Sequence, residues 1–133
     1  MKIVHASGKR KRAIARATLR QGNGIVRVNN ILLDFIHPKI SMLKLREPLI
    51  LAGDAANKIN IDVNVYGGGT TSQAEASRLA IAKGLVDYTK NDKLKETFLA
   101  YDRNLMVADV RRKEPAKPNR HGHARAKIQK SYR

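Results

Sequence analysis

Residues 59 to 66 read Ile-Asn-Ile-Asp-Val-Asn-Val-Tyr, an unbroken alternation of apolar and polar side chains. Successive side chains of a strand point to opposite faces. Ile59, Ile61, Val63 and Val65 therefore line one face, and Asn60, Asp62, Asn64 and Tyr66 the other. Gly67, Gly68 and Gly69 follow, and then the period changes. Leu79, Ala82 and Val86 recur at helical spacing, Ile81 and Leu85 widen the same side, and Lys83, Asp87 and Lys90 lie opposite. A strand, a tight glycine turn and a helix thus follow one another, and the helix should pack on the sheet. Thr70 with Gln73, and Ser72 with Glu75, have the spacing of a capping box, so the helix is expected to start between Thr70 and Ser72.

A second alternating stretch runs from Arg12 to Arg20. Ala13, Ala15, Ala17 and Leu19 share one face; Arg12, Ile14, Arg16, Thr18 and Arg20 share the other. The arginines sit four residues apart, roughly 13 Å between neighbours at strand rise, so the row can follow a phosphate backbone. Residues 3 to 7 predict a short strand, and Gly8 to Lys11 a basic loop. Gln21 to Gly24 predicts a turn, and residues 25 to 28 the returning strand of a hairpin. The apolar run 31 to 36 fits no single element. After the break at His37-Pro38, residues 40 to 52 predict one or two helical pieces, with Pro48 at the restart. Asn91 or Asp92 should cap a further short helix whose buried stripe is Leu94, Phe98 and Tyr101.

Charge narrows the function. Lys and Arg number 27 against 11 acids, a net charge of +16. The excess is not spread evenly. Residues 1 to 20 hold seven basic groups and no acid, residues 21 to 100 are only +2, and residues 101 to 133 are +7. A charge of this size repels itself in a compact fold and calls for a neutralising partner. Nucleic acid is the commonest such partner, and an anionic membrane is second. No long basic amphipathic helix supports the membrane, and no apolar run approaches the roughly 20 residues of a span. The start of the chain predicts no secretory leader, and the chain contains no Cys, so it is read as cytoplasmic, without disulfides or thiolate metal sites.

Beyond Val110 the apolar pattern stops. Residues 111 to 133 contain nine basic groups, one acid (Glu114), Pro115, Pro118 and Gly122. Ile128 is the only aliphatic residue there larger than Ala, so the segment cannot build a core. The expected organisation is a globular domain over residues 1 to 110 and an extended basic tail over 111 to 133. The tail would be ordered only by a partner and reach up to roughly 75 Å.

Catalytic constellations do not emerge. The glycine run precedes a helix, but the phosphate loop of nucleotide enzymes needs Gly-Lys-Ser/Thr, and here Gly69 is followed by Thr-Thr-Ser-Gln. The turn is either purely structural or one whose amides and helix dipole meet a phosphate, and the two are compatible. His5, His37, His121 and His123 match no triad or metalloprotease spacing. His121-Gly122-His123 lacks further ligands and reads as solvated or facing nucleic acid. The reading is therefore no enzyme, no metal and no cofactor. Tyr132 lies in a segment with no core to join, which suits stacking on a base or ribose.

One pattern is far more specific than a glycine loop. Gly67, Gly68, Gly69, Ser72, Gln73, Ala76, Ala80, Ala82, Lys83, Gly84 and Leu85 occupy every required position of a signature of the ribosomal small-subunit protein nine family, which the chain resembles. The stretch Ser7 to Ala15 is similar to that family's N-terminal strand and loop, and Arg111 to Pro115 to its tail entry. The ending Gln129-Lys130-Ser131-Tyr132-Arg133 is similar to the archaeal and eukaryotic branch.

The resemblance implies a single two-layer α+β domain, a roughly four-stranded sheet with helices on one face. It implies a structural constituent of the small ribosomal subunit that supports translation and docks on ribosomal RNA in the head, beside neighbouring head proteins. It also implies a tail directed at the anticodon stem-loop of the peptidyl-site transfer RNA. The candidate ribosomal RNA contacts are Lys9, Arg10, Lys11, Arg12, Arg16, Arg20, Gly67, Gly68, Gly69, Arg111, Arg112, Lys113, Lys117, Arg120, Arg125 and Lys127. The candidate transfer RNA contacts are Lys130, Tyr132 and Arg133. The alternative is a free-standing basic nucleic-acid binder or RNA chaperone.

Overall fold

Five strands, one more than expected, form a single mixed sheet in a computed structural model that describes residues 1–125. They are β1 (Ile3–Arg10), β2 (Ala13–Gln21), β3 (Val26–Val28), β4 (Ile31–Leu32) and β5 (Ile59–Tyr66), in the spatial order β1-β2-β5-β3-β4. Helices α1 (Lys39–Ala52), α2 (Thr70–Thr89) and α3 (Asp92–Tyr101) lie on one face. Short 3-10 turns occupy Leu33–Phe35, Gly53–Lys58 and Arg103–Leu105.

The expected hairpin between β2 and β3 does not form, because β5 lies between them. β5 pairs antiparallel with β2 along its whole length, from Ile14 opposite Tyr66 to Gln21 opposite Ile59. β3 pairs parallel to β5 through only Val26, Arg27 and Val28. The longer strand, with its complete apolar face, claims the edge of β2. The connection after β2 is then tied to the start of β5. Gly22 N donates to Lys58 O (3.0 Å), and Asn60 Oδ1 accepts from the backbone amides of Asn23 (2.9 Å) and Ile25 (3.0 Å). The tight hairpin is instead β3–β4. Its turn residues Asn29 and Asn30 take φ values of 51° and 66°, the left-handed pair that a two-residue hairpin favours.

β1 is longer than expected. Gly8 and Lys9 belong to the strand, and the turn is only Lys11–Arg12. Gly8 faces α2, where a Cβ would stand 2.2 Å from Ala76 O and 2.8 Å from Ala80 N. Ala13, Ala15 and Ala17 on β2 are also small, and buried, so α2 can settle close to the sheet. Leu19, Ile61, Val63, Ile81, Leu85 and Phe98 complete the core. Each such large side chain contributes about 1.5–3 kcal/mol when fully buried.

α1 is one continuous helix with Pro48 buried inside it, not two pieces. α2 starts at Thr70, but neither capping box forms; its N-cap is Gly69, with no side-chain hydrogen bond. Gln73 Nε2 instead donates to Gly67 O (3.1 Å), bracing the glycine turn. α3 is capped by Asn91, whose side chain accepts from Lys93 N (3.0 Å). Leu94 and Phe98 are buried as their spacing predicts, whereas Tyr101 is 56% exposed. The helix ends there, Asp102 caps the next turn through Asn104 N (3.0 Å), and Leu105 enters the core.

Candidate nucleic-acid interface

The antiparallel pairing of β2 with β5 sets Ile14 opposite Tyr66, so the start of one strand meets the end of the other. The Lys11–Arg12 turn and the glycine turn are thereby brought side by side. Gly67 (φ 78°) passes so near that a Cβ would stand 2.6 Å from Arg12 O, which only glycine tolerates at that φ. The segment after Leu105 returns to the same corner. Together they line an open cleft of about 1080 Å³, bounded by Arg10, Lys11, Arg12, Gly68, Gly69, Ser72 and residues Arg111 to Ala116.

Three groups of residues far apart in sequence thus meet: the basic β1–β2 turn, the glycine turn and the root of the basic tail. The lining carries six basic side chains and one acid, Glu114. No side chain caps α2, whose positive dipole end opens beside Gly68 and Gly69. Lys11 and Arg12 are exposed and make no ion pair among the described residues. Lys113 is exposed too. Such a cleft can hold a polyanion through its phosphates.

Not every basic group is turned outward. Arg10 points into the fold, where Nε meets Glu75 Oε2 at 2.7 Å and Nη1 meets Asp109 Oδ2 at 3.5 Å. Arg111 forks onto Asp109, with Nη2 2.6 Å from Oδ2 and Nε 3.1 Å from Oδ1, yet its side chain stays 77% exposed. The Arg111 side chain and backbone amide hold the Asp109 carboxyl well below the usual carboxylate range. Burial pushes Glu75 up, but its bonds to Arg10 and Lys44 outweigh that and leave it below its ordinary value. Sequence reasoning missed the role of both acids, because no local signal links Arg10 to Glu75, 65 positions away, or to the still more distant Asp109.

The arginine row divides. Arg12 belongs to the turn and the cleft, while Arg16 and Arg20 stand on the sheet face that no helix covers. Arg16 lies over Tyr66, its guanidinium carbon 5.7 Å from the ring centroid. Arg20 pairs with Asp62 at 2.5 Å. Arg27 joins the same face through its register with Asp62; the alternation Val26-Arg27-Val28 was the signal that could have found it. Lys9 is exposed beyond Arg16 on β1.

Farther along, Arg125 pairs with Glu114. His123 N donates to Arg120 O (2.9 Å) and Lys117 N to His123 O (3.3 Å), so residues 117 to 123 turn back on themselves. An extended tail was expected over this part. Lys127, Lys130, Tyr132 and Arg133 lie outside the described residues. Among the described residues no three His, Asp or Glu side chains converge on a metal position, and no helix is long and apolar enough to cross a membrane.

A sequence model of the family described as ribosomal protein S9/S16 matches residues 8–133. The chain is 51% identical to the small ribosomal subunit protein uS9 of Methanococcus maripaludis, over 134 residues that cover 100% of both chains. It is 50% identical to the protein of that name from Methanococcus vannielii and 49% identical to that from Methanothrix thermoacetophila, again over 100% of each chain. With identity at this level over the full length of both chains, the chain belongs to the ribosomal protein S9/S16 family, in its archaeal/eukaryotic-type branch, a family of structural proteins and not of enzymes.

Proposed function

We propose that this chain is a structural protein of the small ribosomal subunit in the cytoplasm, bound to ribosomal RNA of the head through the cleft and the open sheet face. The observation that carries this reading is the meeting of Lys11, Arg12, Gly68, Gly69 and Arg111 to Lys113 around one cleft. Its relatives bear the name of a small-subunit protein, which supports the assignment. Lys11, Arg12, Arg112 and Lys113 take phosphates, while Gly68 and Gly69 let the backbone come close to α2's positive end. Arg16, Arg20 and Lys9 extend the contact over the sheet. These contacts give affinity and position rather than base identity.

Residues 1 to 110 act as the rigid platform and residues 111 to 133 as an RNA-binding tail that, beyond its root, orders on RNA. Lys117, Arg120, Arg125 and Lys127 belong to its ribosomal RNA contacts. Lys130, Tyr132 and Arg133 reach the anticodon stem-loop of the peptidyl-site transfer RNA. Phe35, Ile40 and Ile50 are exposed apolar side chains open to neighbouring head proteins. A sucrose gradient of cell lysate at low salt with magnesium tests the assignment. The chain is expected to travel with small subunits and to resist moderate salt; recovery at the top of the gradient, or with DNA, would point to a free nucleic-acid binder instead. Removal of residues 130–133 is then expected to weaken transfer RNA binding in the peptidyl site while leaving the subunit assembled.

A further inference from the structure

Two carboxylates, Glu75 and Asp109, stand just behind the cleft that should attract a polyanion, in an adjoining pocket that shares Arg10 and Arg111 with it. A carboxylate beside a docking site for phosphate opposes binding through its charge. Glu75 and Asp109 both reach Arg10, the one cleft arginine whose side chain is only 14% exposed. Asp109 is also only 14% exposed and holds more than Arg10. Its Oδ1 accepts from the backbone amide of Arg111 (2.9 Å), its two carboxylate oxygens accept the Arg111 guanidinium, and its own carbonyl accepts from Arg112 Nη1 (2.6 Å). One residue therefore fixes both the main chain and the side chains of the tail root.

The other end of this arrangement is anchored in the helices. Glu75 Oε1 meets Lys44 Nζ from α1 at 3.3 Å. The segment leading to Asp109 is pinned at its start as well, where Arg78 Nη2 meets Asp102 Oδ2 at 3.1 Å and Glu47 Oε2 at 2.5 Å. Between these ends Leu105 is fully buried. The chain from Asp102 to Arg111 is thus clamped at both ends and in the middle, and exposed tail begins immediately beyond it.

We propose that Asp109 and Glu75 are positioning residues for RNA binding: by holding Arg10 inside the fold they set where Arg111, Arg112 and Lys113 stand, so that the tail root forms a preorganised wall of the cleft. This rests on the reading of the cleft as an RNA site. Arg10 serves as an internal strut, not as a phosphate ligand. Preorganisation lowers the cost of ordering long basic side chains at an interface, which is where affinity is gained.

The proposal makes a prediction opposite in sign to simple charge counting. Asp109→Asn takes the net charge from +16 to +17, and charge alone then predicts tighter RNA binding. Positioning predicts weaker binding. The test is filter binding of the full chain to a transcript of small-subunit ribosomal RNA, at several salt concentrations, with amide hydrogen exchange at residues 111 and 112 measured on the free protein. Asp109→Asn is expected to lose about tenfold in affinity with its melting temperature little changed, and Arg111 amide exchange is expected to rise by about tenfold. Glu75→Gln is expected to move both readouts the same way by less, and serves if Asp109→Asn does not fold.

Binding by either folded variant that equals or exceeds wild type, or unchanged exchange at Arg111, overturns the proposal. Lys11→Ala and Arg12→Ala report separately on the cleft itself. If those two leave RNA affinity unchanged, the reading of the cleft fails. If they weaken binding while the acid variants do not, the cleft stands and the positioning role falls.

Discussion

Asn29 and Val65 are joined twice: Asn29 Nδ2 donates to Val65 O (3.1 Å), and Val65 N donates to Asn29 Oδ1 (3.0 Å). A side-chain amide thus imitates one more residue of β3 and continues the short parallel ladder along β5. The same residue holds a left-handed backbone in the β3–β4 turn. Asn29→Ala would leave the Val65 amide without its partner and place Ala at positive φ. The expected loss is about 2–3 kcal/mol, read as a lower midpoint in urea with an unchanged slope. A loss within measurement error would mean that water or a shifted backbone replaces the pair.

Gly8→Ala should be among the most damaging single-methyl changes in the chain. Its Cβ would fall 2.2 Å from the Ala76 carbonyl oxygen, a backbone atom of α2 that cannot rotate away. The helix must lift from β1, and the expected cost is about 3 kcal/mol. Thermal melting checks it. Gly69→Ala, where a Cβ meets nothing within 4 Å, is the matched control and is expected to cost little.

Salt dependence separates free cations from engaged ones. Lys11→Ala and Arg12→Ala are each expected to weaken ribosomal RNA binding and to lower the slope of log affinity against log salt by about 1. Arg20→Ala is expected to do less, because Arg20 already shares its charge with Asp62 at 2.5 Å. Filter binding between about 50 and 200 mM salt measures all three. Equal slopes for Arg12→Ala and wild type would remove Arg12 from the interface.

Acid should loosen the α1–α2–β1 junction. The Glu75 carboxyl is raised by burial but lowered more by Arg10 and Lys44, so its folded value lies below the ordinary 4.5. A depressed folded pKa contributes stability above the unfolded value and loses it as pH falls through the folded one. The Glu75 contribution is therefore complete at neutral pH and fades on acidification below 4.5. Urea unfolding of wild type and Glu75→Gln should differ most at neutral pH and converge as pH falls below 4.5. A gap independent of pH would mean that the ion pair is not its source.

Much of the architecture is local in origin and could be read from residue order. The alternation of Ile59 to Tyr66 and of Ala13 to Leu19 sets which side chains are buried, because a strand has a period of two and water selects the apolar face. The helix after Gly69, the Asn91 cap and the buried Leu94 and Phe98 follow from helical spacing in the same way. The basic character of both ends required only counting, and it made nucleic acid the commonest partner to expect.

What could not be read depends on which distant segments compete for the same edge. Residues 25 to 28 look like a hairpin partner for β2, but β5 offers eight pairs to β2's edge and takes it. Gly8 and Lys9 look like a loop, until α2 supplies the surface against which Gly8 is buried. Arg10 looks like an exposed loop cation, but Glu75 from α2 and Asp109 from the tail root pair with it inside the fold. Sequence by itself determined the faces, the helices and the sign of the partner, since those depend on neighbours a few residues away. Only the tertiary structure decided the strand order, the cleft and the division between cations paired within the fold and cations left exposed. Those depend on pairings between segments distant in the chain, in which each charge or strand edge can be used only once.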